Sequence, residues 1–185
     1  NSGYPGANWR VDLPAQPNGT LVQYQLFTRN EFGSDYGFTG LNWSYTVNDG
    51  DVQWAQLFHN SFTGYFRSPF GAVAAGTAVT LRFDTTPNDV DSVAVRVYTY
   101  SPATGNTTGP VDYPMTFVNN AGGAARWQVS LATPSTPAIL YYHFVITDGL
   151  DVDYYGDDHS GPHDNLNHGG MGTASDEQGA EGFQL

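Results

Sequence analysis

The segment Val47-Asn48-Asp49-Gly50-Asp51-Val52 sets two carboxylates two residues apart around a glycine. That spacing lets both side chains converge on one cation while the Val47 carbonyl adds a further oxygen, the hard donor set that calcium prefers. Asp-Gly is equally a favoured turn pair, so the same residues also read as a hairpin. Further along, His159, His163 and His168 are mixed with Asp157, Asp158 and Asp164. Imidazole nitrogens bind transition metals, yet these spacings match neither a His-Glu-x-x-His helix nor a zinc finger, and a solvated loop is the plainer reading. His59, beside Leu57 and Phe58, reads as a hydrogen-bonded structural residue. Three sequons, at Asn18, Asn42 and Asn106, could carry N-glycans in a competent host.

Other chemistries lack their residues. There is no Gly-x-Ser-x-Gly elbow, no cysteine, no lysine for Schiff-base or phosphate work and no Gly-rich phosphate loop. The formal net charge is −12, with every one of the six cationic side chains an arginine, so DNA and anionic membrane surfaces would be repelled. No apolar run of 18 residues is present to span a bilayer. Absent cysteine excludes disulfides and thiolate metal sites.

The elements that must position these residues are strands. Aromatics at 15%, with 22 Gly, 11 Pro and only 13% charged residues, describe an all-β chain rich in turns. Period-two alternation predicts half-buried strands at Val79-Leu81-Phe83, Val93-Val95-Val97, Trp127-Val129-Leu131 and Leu140-Tyr142-Phe144-Ile146, the last placing His143 outward. Their spacing predicts an immunoglobulin-like antiparallel β-sandwich. Trp9, Trp54 and Trp127 are expected in the core, and the polar stretch from Gly156 to Glu181 as a long loop.

An internal echo sets the organisation. Trp9, Val11 and Leu13 recur 118 positions later as Trp127, Val129 and Leu131, Tyr24 as Tyr142, and Asp35-Tyr36 as Asp153-Tyr154; with a gap, Trp43-Ser44-Tyr45 corresponds to Phe183-Gln184-Leu185. The expected layout is therefore residues 1–47 as the C-terminal half of a preceding sandwich and 48–185 as a module short of the end of its last strand. In the first part, strands are expected at about Asn8 to Leu13, Thr20 to Thr28 and Leu41 to Val47. Three strands with an open edge tend to pair with something, so a removed upstream segment or a strand shared with another chain is expected. The missing initiator Met fits a processed or excised fragment.

From Asp49 onward the ordered set Asp49-Gly50-Asp51-Val52-Gln53-Trp54, Leu57-Phe58-His59, Tyr65-Phe66-Arg67-Ser68-Pro69, Val79-Thr80-Leu81-Arg82-Phe83, Asn88-Asp89-Val90, Pro114-Met115 and Leu140 to Gly149 resembles carbohydrate-binding module family 34. That module precedes the catalytic barrel of neopullulanase-like and amylopullulanase-like enzymes of glycoside hydrolase family 13. The resemblance implies a calcium ion held by Val47, Asp49, Asp51, Asp89 and Asp148. It also implies a noncatalytic module that binds starch-like α-glucan, within a larger extracellular or cell-surface amylolytic protein, beside neighbouring modules of the same chain. Sugar rings stack on aromatic faces flanked by polar groups, and Tyr65, Phe66, Tyr98, Tyr100 and Tyr113 are the expected platforms. Glycoside hydrolysis by the chain itself would need two opposed carboxylates in a cleft, and the only glutamates are Glu31, Glu177 and Glu181. The other reading is a structural, calcium-stiffened repeat of a surface or fibre protein whose subunits share strands.

Overall fold

Alternating apolar residues need two sheets to close over one another, and the chain supplies them. The computed structural model describes residues 10–14, 16, 19–29, 32, 35–37, 42–157, 170–176 and 182–185. It divides into two compact units, Asn1–Val47 and Asn48–Leu185.

In the second unit, β5 (Arg67–Ser68), β6 (Ala78–Thr85), β9 (Thr116–Ala121) and β10 (Ala124–Ala132) form a four-stranded sheet in the order β5-β6-β10-β9. The other sheet is built from β7 (Ser92–Ser101), β8 (Asn106–Pro114), β11 (Ile139–Asp148), β12 (Asp151–Asp157) and β13 (Gly172–Ser175), in the order β13-β12-β11-β7-β8, and β14 (Phe183–Gln184) also pairs with β11. Every ladder is antiparallel. Val79, Leu81 and Phe83 of one sheet meet Val93, Val95, Val97, Tyr142, Phe144 and Ile146 of the other in a single apolar core. Phe83 stacks on Phe144 between the layers, with ring centroids 4.4 Å apart. The molecule is thus an all-β antiparallel sandwich, and the four alternating faces read from the sequence lie in β6, β7, β10 and β11 and turn inward as expected.

Turn chemistry sets the registers. Asp148 and Asp151 pair across a two-residue loop in which Gly149 has φ 59°, a conformation that disfavours side chains with a Cβ. β8 escapes periodicity because its side chains are mostly exposed; the ladder with β7 holds it, through a register shift between Val97 and Thr99. The expected loop from Gly156 is partly strand: β12 continues to Asp157 and β13 pairs with it, while His159, His163 and His168 lie outside the described residues.

The first unit contains β1 (Leu21–Tyr24), β2 (Phe27–Arg29), β3 (Asp35–Gly37) and β4 (Trp43–Thr46), paired as β1-β4 and β2-β3. Residues 10–13 form no strand, so the expected strand over Asn8 to Leu13 is corrected there; Trp9 is outside the described residues. Tyr24 pairs with Trp43 and Gln23 with Ser44. In the second unit Tyr142 pairs with Phe183 and Tyr141 with Gln184, the same partners shifted along the chain. Among the described residues, no apolar side chain of the first unit is buried.

Candidate functional site

Residues 48 to 54 lie outside the strands, bent at Gly50, and present amides that need acceptors, which aspartates from three other places provide. Asp148, at the end of β11, accepts the Asp51 N–H at 3.1 Å and the Asn48 side-chain amide. Asp89, in the link between β6 and β7, accepts the Gln53 N–H at 2.9 Å. Asp151, across the hairpin, accepts the Val52 N–H at 3.0 Å. Asp153 accepts the Trp54 indole N–H. Asp91 accepts the Gly149 N–H at 2.9 Å and lies 3.4 Å from the Asn48 amide.

Asp89 and Asp148 thus reach the segment that contains Asp49 and Asp51, and so do Asp91, Asp151 and Asp153, which the sequence alone does not single out. Asp-x-Asp spacing at 89 and 91 and at 151 and 153 was the available signal. Asp89 and Asp148 are buried, Asp49 and Asp51 exposed. Burial pushes the Asp148 carboxyl above its ordinary range; the Asn48 and Asp51 donors offset this in part, and the neighbouring Asp91 and Asp49 charges add to it. Asp153 is raised by burial too, against its indole hydrogen bond, with Asp151, Asp176 and Asp51 as like-charged neighbours. The Val47 carbonyl, in the first unit, accepts the Gly19 N–H at 2.8 Å. Among the described residues no three His, Asp or Glu side chains gather closely enough to share a metal ion. The donors are nonetheless carboxylate and amide oxygens, and a buried carboxylate between like charges is what a divalent cation would relieve.

Trp54, expected in the core, is 47% exposed: it sits on a one-turn 3₁₀ segment at the rim, held by Asp153. Trp127 is half-buried against the core.

The expected sugar platforms separate. Phe66 is corrected to an interior position at 8% exposure, edge-on to the His59 ring. Tyr113 pairs opposite Val95 and packs against the core, because it shares that strand's inner face. Tyr65 is exposed, but its ring lies 5.0 Å from the Arg82 guanidinium and 5.4 Å from that of Arg126. Tyr98 and Tyr100 remain on the outer face of the six-stranded sheet, with Tyr98 paired opposite Tyr141. His143 lies on that outer face, as expected, yet is only 3% exposed. The Tyr98 and Tyr154 rings flank it at 6.1 and 6.0 Å, and its Nε2 has no hydrogen-bond partner among the described residues. Burial and the Arg96 charge lower its basicity, against Asp112. Arg96 grips Asp112 in a two-point ion pair at 2.7 and 2.8 Å.

His59 is structural. It is fully buried, its Nδ1 2.7 Å from the Arg82 carbonyl and its Nε2 3.0 Å from the Tyr142 hydroxyl. Burial lowers its pKa to about 4, with Arg67 adding and the Arg82 carbonyl opposing. Asn42 and Asn106 are exposed; Asn18 lies outside the described residues. Among the described residues no helix is long and apolar enough to cross a membrane.

No known protein-family profile matches the chain. It is 28% identical over 190 residues to the amylopullulanase of Thermoanaerobacter thermohydrosulfuricus, covering 97% of this chain and 12% of that protein. It is 30% identical over 139 residues to the amylopullulanase of Thermoanaerobacterium saccharolyticum, covering 73% of this chain and 10% of that protein. The amylopullulanase of Thermoanaerobacterium thermosulfurigenes is 30% identical over 130 residues, 69% of this chain and 6% of that protein. The chain therefore spans about a tenth of the length of these relatives. A solved cyclomaltodextrinase structure resembles 70% of this chain and 19% of its own, at 16% identity and a TM-score of 0.45.

Proposed function

We propose that the second unit is a noncatalytic α-glucan-binding module of carbohydrate-binding family 34 type, within a larger extracellular amylolytic enzyme. The observation that carries this is the relation, along nearly the whole chain, to a small segment of amylopullulanases. On this reading a sugar would lie on the outer face of the six-stranded sheet, where Tyr98, Tyr100 and Tyr141 stand beside the Arg96–Asp112 pair. Aromatic faces with charged hydrogen-bonding neighbours are suited to pyranose rings. Isothermal titration with maltooligosaccharides and pull-down on insoluble starch test the reading, with weakening expected in Tyr98→Ala; no binding to either polymer or oligomer by the native chain sinks it.

Calcium belongs to the same reading. Asp49, Asp51, Asp89 and Asp148 are the residues that would hold it, drawn closer together than they stand without the ion, and it would supply positive charge beside the buried Asp148. Because it would join the opening segment to the β6–β7 and β11–β12 links, calcium would stabilise the folded unit by mass action. Chelation is expected to lower the melting temperature, read by calorimetry.

A second reading, a structural repeat completed by strands from a neighbouring module or another copy, is favoured by one observation. Val11, Leu21 and Phe27 of the first unit are exposed, and among the described residues no apolar side chain of that unit is buried. Light scattering distinguishes it: a monomer at all concentrations, with residues 1–47 mobile by NMR, argues against it.

A further inference from the structure

The four-stranded sheet ends at β9, a free edge, and a bulge there changes which side chain faces inward. Arg126 pairs with Asn119, but Trp127 pairs with Phe117, leaving Val118 without a partner in the ladder. Bulges re-aim side chains in this way. Phe117 consequently lies beside Trp127, rings 5.7 Å apart and nearly perpendicular, yet remains 47% exposed at the sheet's edge.

Between these rings and the β6–β7 link is a cleft of about 210 Å³ lined also by Thr85, Thr86, Asn88 and Val90. The Trp127 indole N–H is spent on the Thr85 hydroxyl at 3.0 Å, which fixes the ring's orientation before any ligand arrives. Asn88 is exposed at φ 59°, and its amide makes no hydrogen bond among the described residues. The Thr86 hydroxyl has only a 3.4 Å contact with the Gln53 carbonyl. No ionisable side chain lines the cleft.

A rigid aromatic wall facing an uncommitted amide and a weakly engaged hydroxyl, without charge, matches a neutral, hydroxyl-rich ring. The volume is below the roughly 300–1000 Å³ of sites that enclose drug-sized ligands, so it accommodates one ring and leaves the rest of a chain outside. We propose that the Phe117–Trp127 cleft is a second carbohydrate site, on a different sheet from Tyr98 and Tyr100, that takes a single glucose unit of an α-glucan. The choice of glucan rests on the function proposed above; the cleft's preference for a neutral sugar ring rests on its own lining.

The test follows the Trp127 indole N–H resonance of the full chain, identified with Trp127→Phe, during titration with maltotriose and maltoheptaose, beside calorimetry. Phe117→Ala is expected to weaken binding at the cleft at least tenfold and abolish the Trp127 shift. Phe117→Tyr should retain it. Asn88→Gly, which removes the amide and keeps the left-handed turn, is expected to weaken binding severalfold; Tyr98→Ala should leave the Trp127 shift unchanged. A Trp127 shift and affinity in Phe117→Ala within twofold of native overturns the cleft while leaving the proposed function intact. A Trp127 shift driven only by β-linked oligosaccharides upholds the cleft as a sugar site and overturns the α-glucan assignment. Absence of any binding by the native chain overturns both.

Discussion

His59 carries a measurable consequence of being buried neutral. Its unfolded pKa is near 6.5 and its folded value about 4, so between those values the unfolded chain binds the additional proton. Its stabilisation is complete above pH 6.5 and is lost as pH falls toward 4, on the order of 3 kcal/mol. Urea denaturation at intervals from pH 7 to 4 should show this slope, reduced by about one proton in His59→Gln. Asp148 behaves in the opposite sense, because burial and like charges favour its neutral form. Asp148→Asn keeps an oxygen for the Asp51 N–H but turns an NH2 group toward the Asn48 amide, so the relief of charge and the lost acceptor oppose one another in chelator, while the increment produced by calcium should shrink; differential scanning calorimetry with and without calcium reads that increment. Of the acidic residues singled out in the sequence, Asp89 and Asp148 accept backbone N–H groups of the segment that carries Asp49 and Asp51. What alternation could not show was the outer face of β11: period two sends His143 away from the core, but rings from β7 and β12 close over it. Trp54 was misplaced for a related reason, since a tryptophan on a one-turn rim segment satisfies its N–H with a carboxylate rather than by burial.

At the scale of elements, β14 is two residues long, yet it is fastened to β11 by the Tyr142–Phe183 pair and by two 2.8 Å backbone bonds between Leu140 and Leu185. Phe183 is fully buried against Tyr142, Tyr155 and Phe144. Phe183→Ala should cost about 3–5 kcal/mol, measured as a fall in the urea midpoint. Trp43 holds the matching place in the first unit, stacked on Tyr24 at 5.9 Å but only half-buried. Trp43→Ala should leave the main unfolding transition unmoved within about 0.5 kcal/mol. Strands with one buried face, β6, β7, β10 and β11, were legible because burial imposes alternation. β8 was not, because its exposed side chains are free of that constraint and only the backbone ladder defines it. β13 was hidden in a polar stretch because its residues, Gly-Thr-Ala-Ser, are small and carry no large apolar side chain to mark an inner face, although Gly172 in it passes so close to the Gly156 carbonyl that a Cβ would lie 2.2 Å away. Gly172→Ala should therefore destabilise the second unit well beyond a surface substitution.

For the whole molecule, the sixteen members of the buried apolar core among the described residues come from Val52 onward. Residues 48–185 produced alone should unfold in one cooperative transition close to that of the full chain, whereas residues 1–47 alone should show no cooperative transition by circular dichroism. The placement of cationic side chains adds a practical corollary. The chain has no lysine, and every arginine of the second unit, Arg67, Arg82, Arg96 and Arg126, lies inside a hydrogen-bonded strand. Trypsin must draw an extended, unpaired stretch of backbone into its cleft, and after residue 47 no link between strands offers it a cleavable bond. Arg10 and Arg29 are the only other sites. Brief digestion of the native protein should therefore trim its beginning and halt at a resistant product that reaches unbroken to Leu185.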